Sequence, residues 1–148
     1  DLVVFGPDAV LEFYNKAYQV LFEFSDAWLA ANKEVDIIPN ITAHEFAEIE
    51  AKNPEIHIID VRKKSEYDSE HIVGAENAPL DFVNDTMKLV NPAKTYYVHC
   101  AGGYRSVIMS SILKSRGYHN MINVEKGMAG IRNTNVPLTA FVCPSTLK

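Results

Sequence analysis

The sequence contains little cysteine, no long apolar run and no surplus of positive charge. Its two cysteines, Cys100 and Cys143, are too few for the disulfide framework of a small secreted protein. No stretch of about eighteen apolar residues is present for a membrane span, and no basic start precedes an apolar core as in a signal peptide. Because thiols outside disulfides suit a reducing compartment, we expect a cytoplasmic protein without a membrane partner.

Acidic residues outnumber basic ones, 19 to 14, and the formal net charge is −5. The basic residues are scattered, which argues against nucleic acid or an acidic membrane surface as the main partner and favours small-molecule or protein chemistry. The hydrophobic fraction of 47% and the charged fraction of 22% are ordinary for a globular protein. A chain of 148 residues can therefore bury the core of one domain and carry an appendage.

The first 35 residues differ in pattern from the rest. Apolar and aromatic residues recur at helical spacing across residues 8–31 and form a wide stripe. Such a stripe must be covered by the body of the domain, by a second copy of the chain in a homodimer, or by a neighbouring domain. The first residue is Asp1 rather than Met, which fits a piece of a longer chain. We predict an N-terminal helical extension over residues 1–35 and a globular domain over residues 36–148.

Short strand-like and helix-like segments alternate from residue 36 onward. Thr42 and Glu45 have the spacing of a capping box, which predicts a helix through about Lys52. This alternation predicts an α/β fold whose parallel sheet is covered by helices on both faces. Predicted strands include residues 56–59, 95–99 and 121–124 and part of 72–78, and predicted helices fall within 63–69, 80–89, 107–116 and 127–131.

The segment that begins at Cys100 joins a β-branched and aromatic strand to a helical pattern that starts at Val107. Cys100 is therefore expected at the carboxyl end of a strand, where parallel sheets form their sites, facing loop amides and the positive end of a helix dipole. Gly102 and Gly103 give the backbone the freedom to turn those amides inward. Together with Arg105, these groups lower the pKa of a thiol, which predicts a thiolate nucleophile at Cys100.

A simpler interpretation of this segment stays open. A cysteine after a strand can be a buried structural thiol, and two adjacent glycines can form a plain turn. Arg105 and Ser106 weaken that interpretation, because a loop that receives an anion requires a cation and a helix-capping hydroxyl.

Two stretches of the chain resemble the rhodanese family of sulfurtransferases. One of them, the later in the chain, is the loop from Cys100 to Arg105 with Ser106. The resemblance extends from Ile38 to Pro137 and implies the three-layer rhodanese fold, with a central parallel sheet of about five short strands between helices. The first stretch matches at residues Ile59, Asp60, Val61, Arg62, Glu66, Tyr67, His71, Ile72, Gly74, Ala75, Asn77 and Pro79.

The resemblance also implies a reaction and a set of site residues. Cys100 is the expected nucleophile, which takes sulfane sulfur from thiosulfate, polysulfide or a low-molecular-weight persulfide and passes it to a thiol or cyanide acceptor. Arg105 would offset the charge of an anionic donor, and no cofactor is implied. Asp60 and Arg62 match the part of the family pattern that packs beneath the loop, so they are expected to support it. The expected active-site loop consists of Ala101, Gly102, Gly103, Tyr104, Arg105 and Ser106.

The length of the loop separates two reactions that share this architecture. Phosphatases of this architecture place arginine six residues after the cysteine, whereas Arg105 comes five after Cys100 and Ser106 occupies the sixth position. The smaller loop favours sulfur over phosphate, and no acidic residue in the loop is a candidate leaving-group acid. A cysteine-based phosphatase or arsenate reductase is the alternative enzyme. A rhodanese-like module that binds or regulates without turnover is the alternative outside enzymes.

The chain departs from the family pattern near its last predicted helix. Relatives often have paired glycines and then a tryptophan where this chain has Lys126 and Ile131. Residues 24–32, which include Trp28, resemble that closing element, so the N-terminal segment is expected to be the tail of a preceding rhodanese-like domain. Fusions of a metallo-β-lactamase-fold persulfide dioxygenase with rhodanese repeats have this arrangement, and residues 98–106 resemble their last repeat. An amphipathic helix native to a single-domain protein is the alternative.

The remaining reactive side chains have simpler interpretations. Strand alternation turns His99 away from the Cys100 side chain, which favours packing or hydrogen bonding over a role as base. Tyr104 is expected at the rim of the loop, where it contacts substrate or covers the loop. Cys143 follows the core, and its attack on a Cys100 persulfide to form a disulfide is a further hypothesis. No metal site is expected, because zinc-ligand spacing is missing for His44, His57, His71 and His119.

Overall fold

The computed structural model describes residues 30–31 and 37–143. The chain divides into two units, residues 1–37 and 38–148. Apart from residues 30–31, which are exposed, the predicted N-terminal helix lies outside the described residues, so what covers its apolar stripe stays a prediction. The predicted division after residue 35 therefore stays a prediction.

Parallel strands form one sheet in residues 38–143, in the order β1-β5-β4-β2-β3. Strands β2 and β4 pair along their whole length, from His57 opposite Tyr96 to Asp60 opposite His99. This sheet confirms the predicted α/β fold with five short strands in the described part of the chain. The strands are β1 (Asn40–Ile41), β2 (His57–Asp60), β3 (Glu76–Asn77), β4 (Tyr96–His99) and β5 (Met121–Val124).

Short helices connect the strands. Helix α1 begins at the predicted capping box, where the Glu45 amide donates to Thr42 Oγ1 at 3.2 Å and the Thr42 amide donates to Glu45 Oε2 at 2.7 Å. No helix in the described residues is long and apolar enough to cross a membrane. The helices are α1 (Ala43–Lys52), α2 (Lys64–Ser69), α3 (Val83–Leu89), α4 (Tyr104–Ser115) and α5 (Gly127–Ile131), with a 3₁₀ turn at Leu80–Phe82 before α3.

The core lies on both faces of the sheet because successive strand residues point to opposite sides. Ile58 packs into a cluster with Phe46 of α1 and Ile131 of α5, whereas its neighbour Ile59 packs into a second cluster with Leu113 of α4. Burial of each such side chain contributes about 1.5–3 kcal/mol relative to leaving it exposed. The two clusters give the three layers that the family resemblance implies.

Helix α4 begins earlier than its apolar pattern predicts. The expected start is Val107, but the helix begins at Tyr104 because Gly103 turns the chain at φ 99° and occupies the position that caps the helix. Ser106 therefore lies inside the first turn, so its expected role as the helix cap is wrong. At the other end, Gly117 adopts φ 94° after the last helical residues, as predicted for a helix stop.

Candidate active site

The loop between β4 and α4 closes around the sulfur of Cys100. Strand β4 ends at His99 and α4 begins at Tyr104, so the turn consists of residues 100–103. The Gly103 amide donates a hydrogen bond to Cys100 Sγ at 3.1 Å. This inward amide depends on the left-handed conformation of Gly103, which a side chain would disfavour.

Ser106 supplies a second donor to the sulfur. Its hydroxyl is fully buried in the first turn of α4, 3.5 Å from Cys100 Sγ and 3.1 Å from the Gly103 carbonyl oxygen. The single hydroxyl hydrogen can be donated to either acceptor, and a negative charge on the sulfur favours donation to the sulfur. Because α4 begins at Tyr104, the Ser106 hydroxyl contacts the thiol and does not cap the helix.

The pKa of Cys100 is the balance of two opposing effects. Burial raises it, but hydrogen bonds from the Ser106 hydroxyl and from the amides of Ser106, Gly103 and Gly102 lower it by more, so the pKa lies below that of an ordinary thiol. Only 1% of the residue surface is exposed. Apolar burial alone would raise the pKa and leave the thiol inert. Cys100 therefore combines the burial of a structural cysteine with the electrostatics of a reactive one.

Helix α5 holds the outer side of the loop in place. The Met128 amide donates to the Cys100 carbonyl oxygen at 2.8 Å, and the Ala129 amide donates to the Ala101 carbonyl oxygen at 3.0 Å. Gly127 precedes them at φ 47°, and a Cβ atom there would lie 2.1 Å from the Cys100 carbonyl oxygen. Only glycine permits this close approach of α5 to the loop.

Arg105 forms an ion pair at the edge of the loop. Its Nη1 donates to Glu66 Oε2 at 2.6 Å and its Nη2 donates to Glu66 Oε1 at 2.9 Å, with the two side chains 31% and 34% exposed. Hydrogen bonding to Arg105 holds the pKa of Glu66 below its ordinary value against the opposing effect of burial. The positive charge of Arg105, which is expected to offset the charge of an anionic donor, is therefore compensated by the Glu66 carboxylate on α2.

Sequence reasoning gives Glu66 no role in the site. The family resemblance includes it in the first matched stretch, and that stretch follows β2, whose carboxyl end lies beside that of β4. This shared sheet edge is the signal from which a contact between Glu66 and the loop could have been inferred.

Asp60 and Arg62 lie at the end of β2, next to the loop. Arg62 Nε donates to Asp60 Oδ1 at 2.9 Å, and Arg62 Nη2 donates to Asp60 Oδ2 at 2.6 Å and to the Glu70 carbonyl oxygen at 2.7 Å. Both side chains are buried. They join β2 to the chain beyond α2 and have no direct contact with the Cys100 sulfur among the described hydrogen bonds. The expected supporting role stays a prediction.

His99 is fully buried between the loop and this pair. Its Nδ1 lies 3.4 Å from the Cys100 carbonyl oxygen and its Nε2 lies 3.8 Å from Asp60 Oδ2, without a hydrogen-bond partner for Nε2 in the described residues. Burial lowers the pKa of His99, the Asp60 charge raises it and the Arg62 charge lowers it, for a net lowering that keeps the ring neutral. The side chain contacts the backbone of Cys100 and not its sulfur.

Two further predicted contact residues lie at the surface. Tyr104 is 76% exposed, at the first position of α4. Cys143 is exposed and follows Val142, whose amide donates to the Ser69 carbonyl oxygen at 2.8 Å and whose carbonyl accepts from Ser69 Oγ at 2.6 Å. The predicted roles of Tyr104 and Cys143 stay predictions.

The other histidines serve no common centre. His71 stacks on Tyr67 with ring centroids 3.7 Å apart, and its Nδ1 lies 2.7 Å from the Tyr67 carbonyl oxygen. His57 packs against Tyr96 at the opposite end of β2 and β4 from the loop. No group of three or more His, Cys, Asp or Glu side chains in residues 30–31 and 37–143 could hold a metal ion.

Two surface cavities border the loop. One of about 440 Å³ is lined by Gly102, Gly103, Tyr104 and Lys126, among others. The other, about 210 Å³, reaches Ala101 from the side of α2 and α5. The loop is therefore approachable from two sides, although the sulfur itself is buried.

The model of the rhodanese-like domain family matches residues 42–134, which is more than half of the chain. The chain belongs to the rhodanese-like domain family. The match spans β2, the loop with Cys100 and α5, so the geometry described above is that of a rhodanese-like domain.

Curated relatives and a solved structure agree with this assignment. The putative sulfur carrier protein YrkF of Bacillus subtilis is 30% identical over 98 residues, covering 66% of this chain and 53% of that protein. The thiosulfate sulfurtransferase PspE of Escherichia coli is 34% identical over 83 residues, covering 55% of this chain and 76% of that protein. The chain thus spans about half the length of YrkF. The structure of a rhodanese-like domain protein from Staphylococcus aureus is 28% identical with a TM-score of 0.62, covering 70% of this chain and all of that one.

Proposed function

We propose that this rhodanese-like domain is a sulfurtransferase that carries sulfane sulfur as a persulfide on Cys100. The donor is thiosulfate, polysulfide or a low-molecular-weight persulfide, and the acceptor is a thiol or cyanide. The relatives YrkF and PspE, described as a sulfur carrier and a thiosulfate sulfurtransferase, support sulfur transfer in general. The donors and acceptors named here are those that the family resemblance implies.

The reaction has two half-reactions without net oxidation. In the first, the Cys100 thiolate attacks the outer sulfur of the donor, a bond forms between Sγ and that sulfur, and the donor's sulfur–sulfur bond breaks. The electron pair leaves on sulfite when the donor is thiosulfate, on a thiolate when it is a persulfide, and on the shortened chain when it is a polysulfide. In the second, an acceptor thiolate or cyanide attacks the terminal sulfur, the bond to Sγ breaks, and the Cys100 thiolate returns. The loop donors face Sγ, so they stabilise the thiolate that starts the first half-reaction and that the second half-reaction restores.

The donors directed at Cys100 Sγ, the Gly103 amide at 3.1 Å and the Ser106 hydroxyl at 3.5 Å, are the observation that carries this proposal. Four hydrogen bonds outweigh the effect of burial, so the reactive thiolate is more populated at neutral pH than in an ordinary thiol. A structural cysteine gains nothing from donors aimed at its sulfur, since its neutral thiol is a weak acceptor. The arrangement therefore favours a nucleophile over the simpler structural interpretation.

The burial of Cys100 sets a requirement for the reaction. With only 1% of the residue exposed, a donor reaches Sγ when the rim of the loop moves outward. Gly102, which is exposed, and Gly103 form that rim, and the region around them has the conformational freedom of glycine. In this proposal the rim opens for the donor and closes over a single added sulfur atom.

Intact-mass spectrometry of Cys100→Ser tests the proposal. Treatment with thiosulfate, polysulfide or glutathione persulfide is expected to add one sulfur atom to the wild type and none to the variant, and sulfur transfer is expected to vanish because a serine hydroxyl is not ionised at neutral pH. Cys143→Ser is the matched control and is expected to load like the wild type. Equal persulfide lifetimes in Cys143→Ser and the wild type would also remove the hypothesis that Cys143 attacks the Cys100 persulfide.

Two results would replace this proposal. A wild type that acquires no sulfur from any of the three donors would favour a rhodanese-like module that binds or regulates. Hydrolysis of a phosphate ester or reduction of arsenate that is lost in Cys100→Ser would favour the alternative enzyme.

Parentage, location and association complete the proposal. Residues 24–32 resemble the closing element of a rhodanese domain, and we extend the proposal to a C-terminal repeat of a metallo-β-lactamase-fold fusion in the cytoplasm. The N-terminal segment would then pack on the neighbouring domain, or on a second copy of the chain. The sequence of the full-length gene product tests the fusion, and cell fractionation tests the location.

A further inference from the structure

Arg105 is already paired with Glu66 in this structure, so the recognition of an anionic donor requires another cation. Both terminal nitrogens of Arg105 donate to the two oxygens of Glu66, which uses the planar face that would otherwise hold an oxyanion. Arg62 is likewise paired with Asp60 and buried. Lys126 is the next cation along the rim of the loop.

Lys126 borders the loop through its backbone and a cavity. A Cβ atom placed on Gly103 would lie 3.1 Å from the Lys126 backbone nitrogen, so the two residues are in contact. The cavity of about 440 Å³ is lined by Lys126 together with Gly102, Gly103 and Tyr104. This volume falls within the range of about 300–1,000 Å³ that small-molecule sites occupy. The cavity is therefore shared by the glycines of the loop rim and by Lys126.

The backbone of Lys126 is strained, which sets it apart from an ordinary surface lysine. It is the sole non-glycine residue with a positive φ, at 58°, in the described part of the chain. Glycine would adopt this conformation without the steric cost that a Cβ atom brings. Since glycine would serve the fold at lower cost, the presence of lysine motivates the search for a role of its side chain.

The charge around Lys126 is uncompensated apart from one neighbour. Its ammonium group has no ion pair or hydrogen bond among residues 30–31 and 37–143. Glu125 lines the same cavity and is exposed. The negative charge of Glu125 reduces the attraction of Lys126 for an anionic ligand. Removal of the Glu125 charge should therefore have the opposite effect to removal of the Lys126 charge.

We propose that the cavity beside the loop binds the carrier part of a low-molecular-weight persulfide and that Lys126 pairs with a carboxylate on that carrier. The inference rests on the proposed function and deepens it by choosing the donor class. A donor that fits has its sulfane sulfur at the loop and an anionic group several bonds away, as in a peptide-like thiol. Thiosulfate fits less well, because its sulfonate is directly bonded to the sulfane sulfur and lies near the compensated Arg105.

Substitution of Lys126 separates the charge from the fold. Lys126→Gly removes the ammonium group and relieves the positive φ, and Lys126→Asn removes the charge with a side chain that tolerates this conformation. Lys126→Arg keeps the charge, and Lys94→Ala is a control at an exposed lysine before the amino end of β4. Steady-state kinetics would compare glutathione persulfide, which has carboxylates, with hydroxyethyl persulfide, which has no charge on its carrier.

The ratio of the two kcat/KM values, glutathione persulfide over hydroxyethyl persulfide, is the decisive measurement. We expect it to fall by up to about fivefold in both Lys126→Gly and Lys126→Asn, the size of one exposed ion pair, and to stay near wild type in Lys126→Arg and Lys94→Ala. We expect the ratio to rise in Glu125→Gln and, in the wild type, to fall with added salt. The melting temperature of Lys126→Gly is expected to equal or exceed that of the wild type.

Two results would overturn the inference, and they differ in what else they remove. If the wild type loads sulfur and the ratio is unchanged in Lys126→Gly and Lys126→Asn, the recognition role of Lys126 is wrong and the sulfurtransferase proposal stands. If the wild type acquires sulfur from no persulfide, polysulfide or thiosulfate, both proposals fail together.

Discussion

Two arginine–carboxylate pairs flank the loop, and they differ in their access to water. Asp60 and Arg62 are separated by one residue and have side-chain exposures of 0% and 4%. Glu66 and Arg105 join two helices 39 residues apart in sequence and are about one third exposed. The pair of Asp60 and Arg62 lies at the end of β2 inside the fold, and the pair of Glu66 and Arg105 lies at the edge of the candidate site.

The difference shows which pair supports the fold and which one adjusts the site. Removing one partner of a buried pair leaves a charge without water or a counter-charge, which is costly. Removing one partner of an exposed pair exchanges it for water at little cost, because solvent screens both charges. Substitution of Asp60 therefore tests stability, whereas substitution of Glu66 tests the charge that a donor meets.

The largest expected effect is that of Asp60→Ala. The variant leaves the Arg62 guanidinium buried with only the Glu70 carbonyl as acceptor, so we expect a loss of about 3–5 kcal/mol in the free energy of unfolding. Urea unfolding followed by circular dichroism measures it. The double variant Asp60→Ala with Arg62→Leu removes the unpaired charge and is expected to recover part of the loss. A cost below about 1 kcal/mol, as for an exposed pair, would erase the distinction between the two pairs.

His99, which lies beside the buried pair, is expected to make stability depend on pH. Burial lowers its pKa below 6.5 in the folded chain. When the pH falls below 6.5, His99 is therefore protonated in the unfolded chain but stays neutral in the folded chain. The free energy of unfolding should therefore decrease by about 1.4 kcal/mol per pH unit below that value, for this one group, until the lowered pKa is reached.

His99→Asn is the matched variant for this slope. It is expected to be less stable at neutral pH and to lose this contribution between pH 6.5 and 5. Parallel pH profiles for the variant and the wild type would show that folding does not change the pKa of His99.

Glu66→Gln is expected to change the site more than the fold. The free energy of unfolding should change by less than about 1 kcal/mol, since the pair is partly exposed. The freed guanidinium of Arg105 should raise kcat/KM for thiosulfate by up to about fivefold.

Glu70→Gln is the control for this effect, because Glu70 pairs with Arg132 at 2.7 Å and its substitution leaves the pair of Glu66 with Arg105 intact. A thiosulfate rate that falls in Glu66→Gln and stays unchanged in Glu70→Gln would mean that Glu66 positions the loop and does not mask its charge.

The smallest expected effect is the acid titration of Glu66. Its folded pKa is lowered mainly by the hydrogen bonds from Arg105, so its contribution to stability is complete above the unfolded pKa, near 4.5, and is lost as pH falls towards the lowered value. Unfolding measured from pH 5 to pH 3 should show a slightly steeper loss in the wild type than in Glu66→Gln. Identical slopes would show that water screens this pair completely.

Local patterns were enough to predict the architecture but not all of its boundaries. The capping box at Thr42, the apolar runs of β2 and β4 and the stop at Gly117 each have a signal within a few residues. The start of α4 had none, because a positive φ at Gly103 depends on the loop that surrounds it. The three-residue difference decides whether Ser106 caps a helix or contacts the sulfur.

The sequence also predicted the position of the candidate site better than its electrostatics. Cys100 and the two glycines lie where the strand–loop–helix pattern predicts them. The pairing of Arg105 with Glu66 joins two separate connections of the sheet, and the strain at Lys126 depends on the contact of α5 with the loop. Both follow from tertiary structure, which no local pattern encodes.

The contact between Gly127 and the Cys100 carbonyl oxygen has a consequence for control of the thiol. Because α5 and the loop share backbone hydrogen bonds at this point, the equilibrium position of the helix and the acidity of the thiol are thermodynamically linked. If docking of α5 lowers the pKa of the thiol, a molecule that binds more tightly to the docked form acidifies the thiol, and deprotonation of the thiol strengthens the binding of that molecule by the same factor.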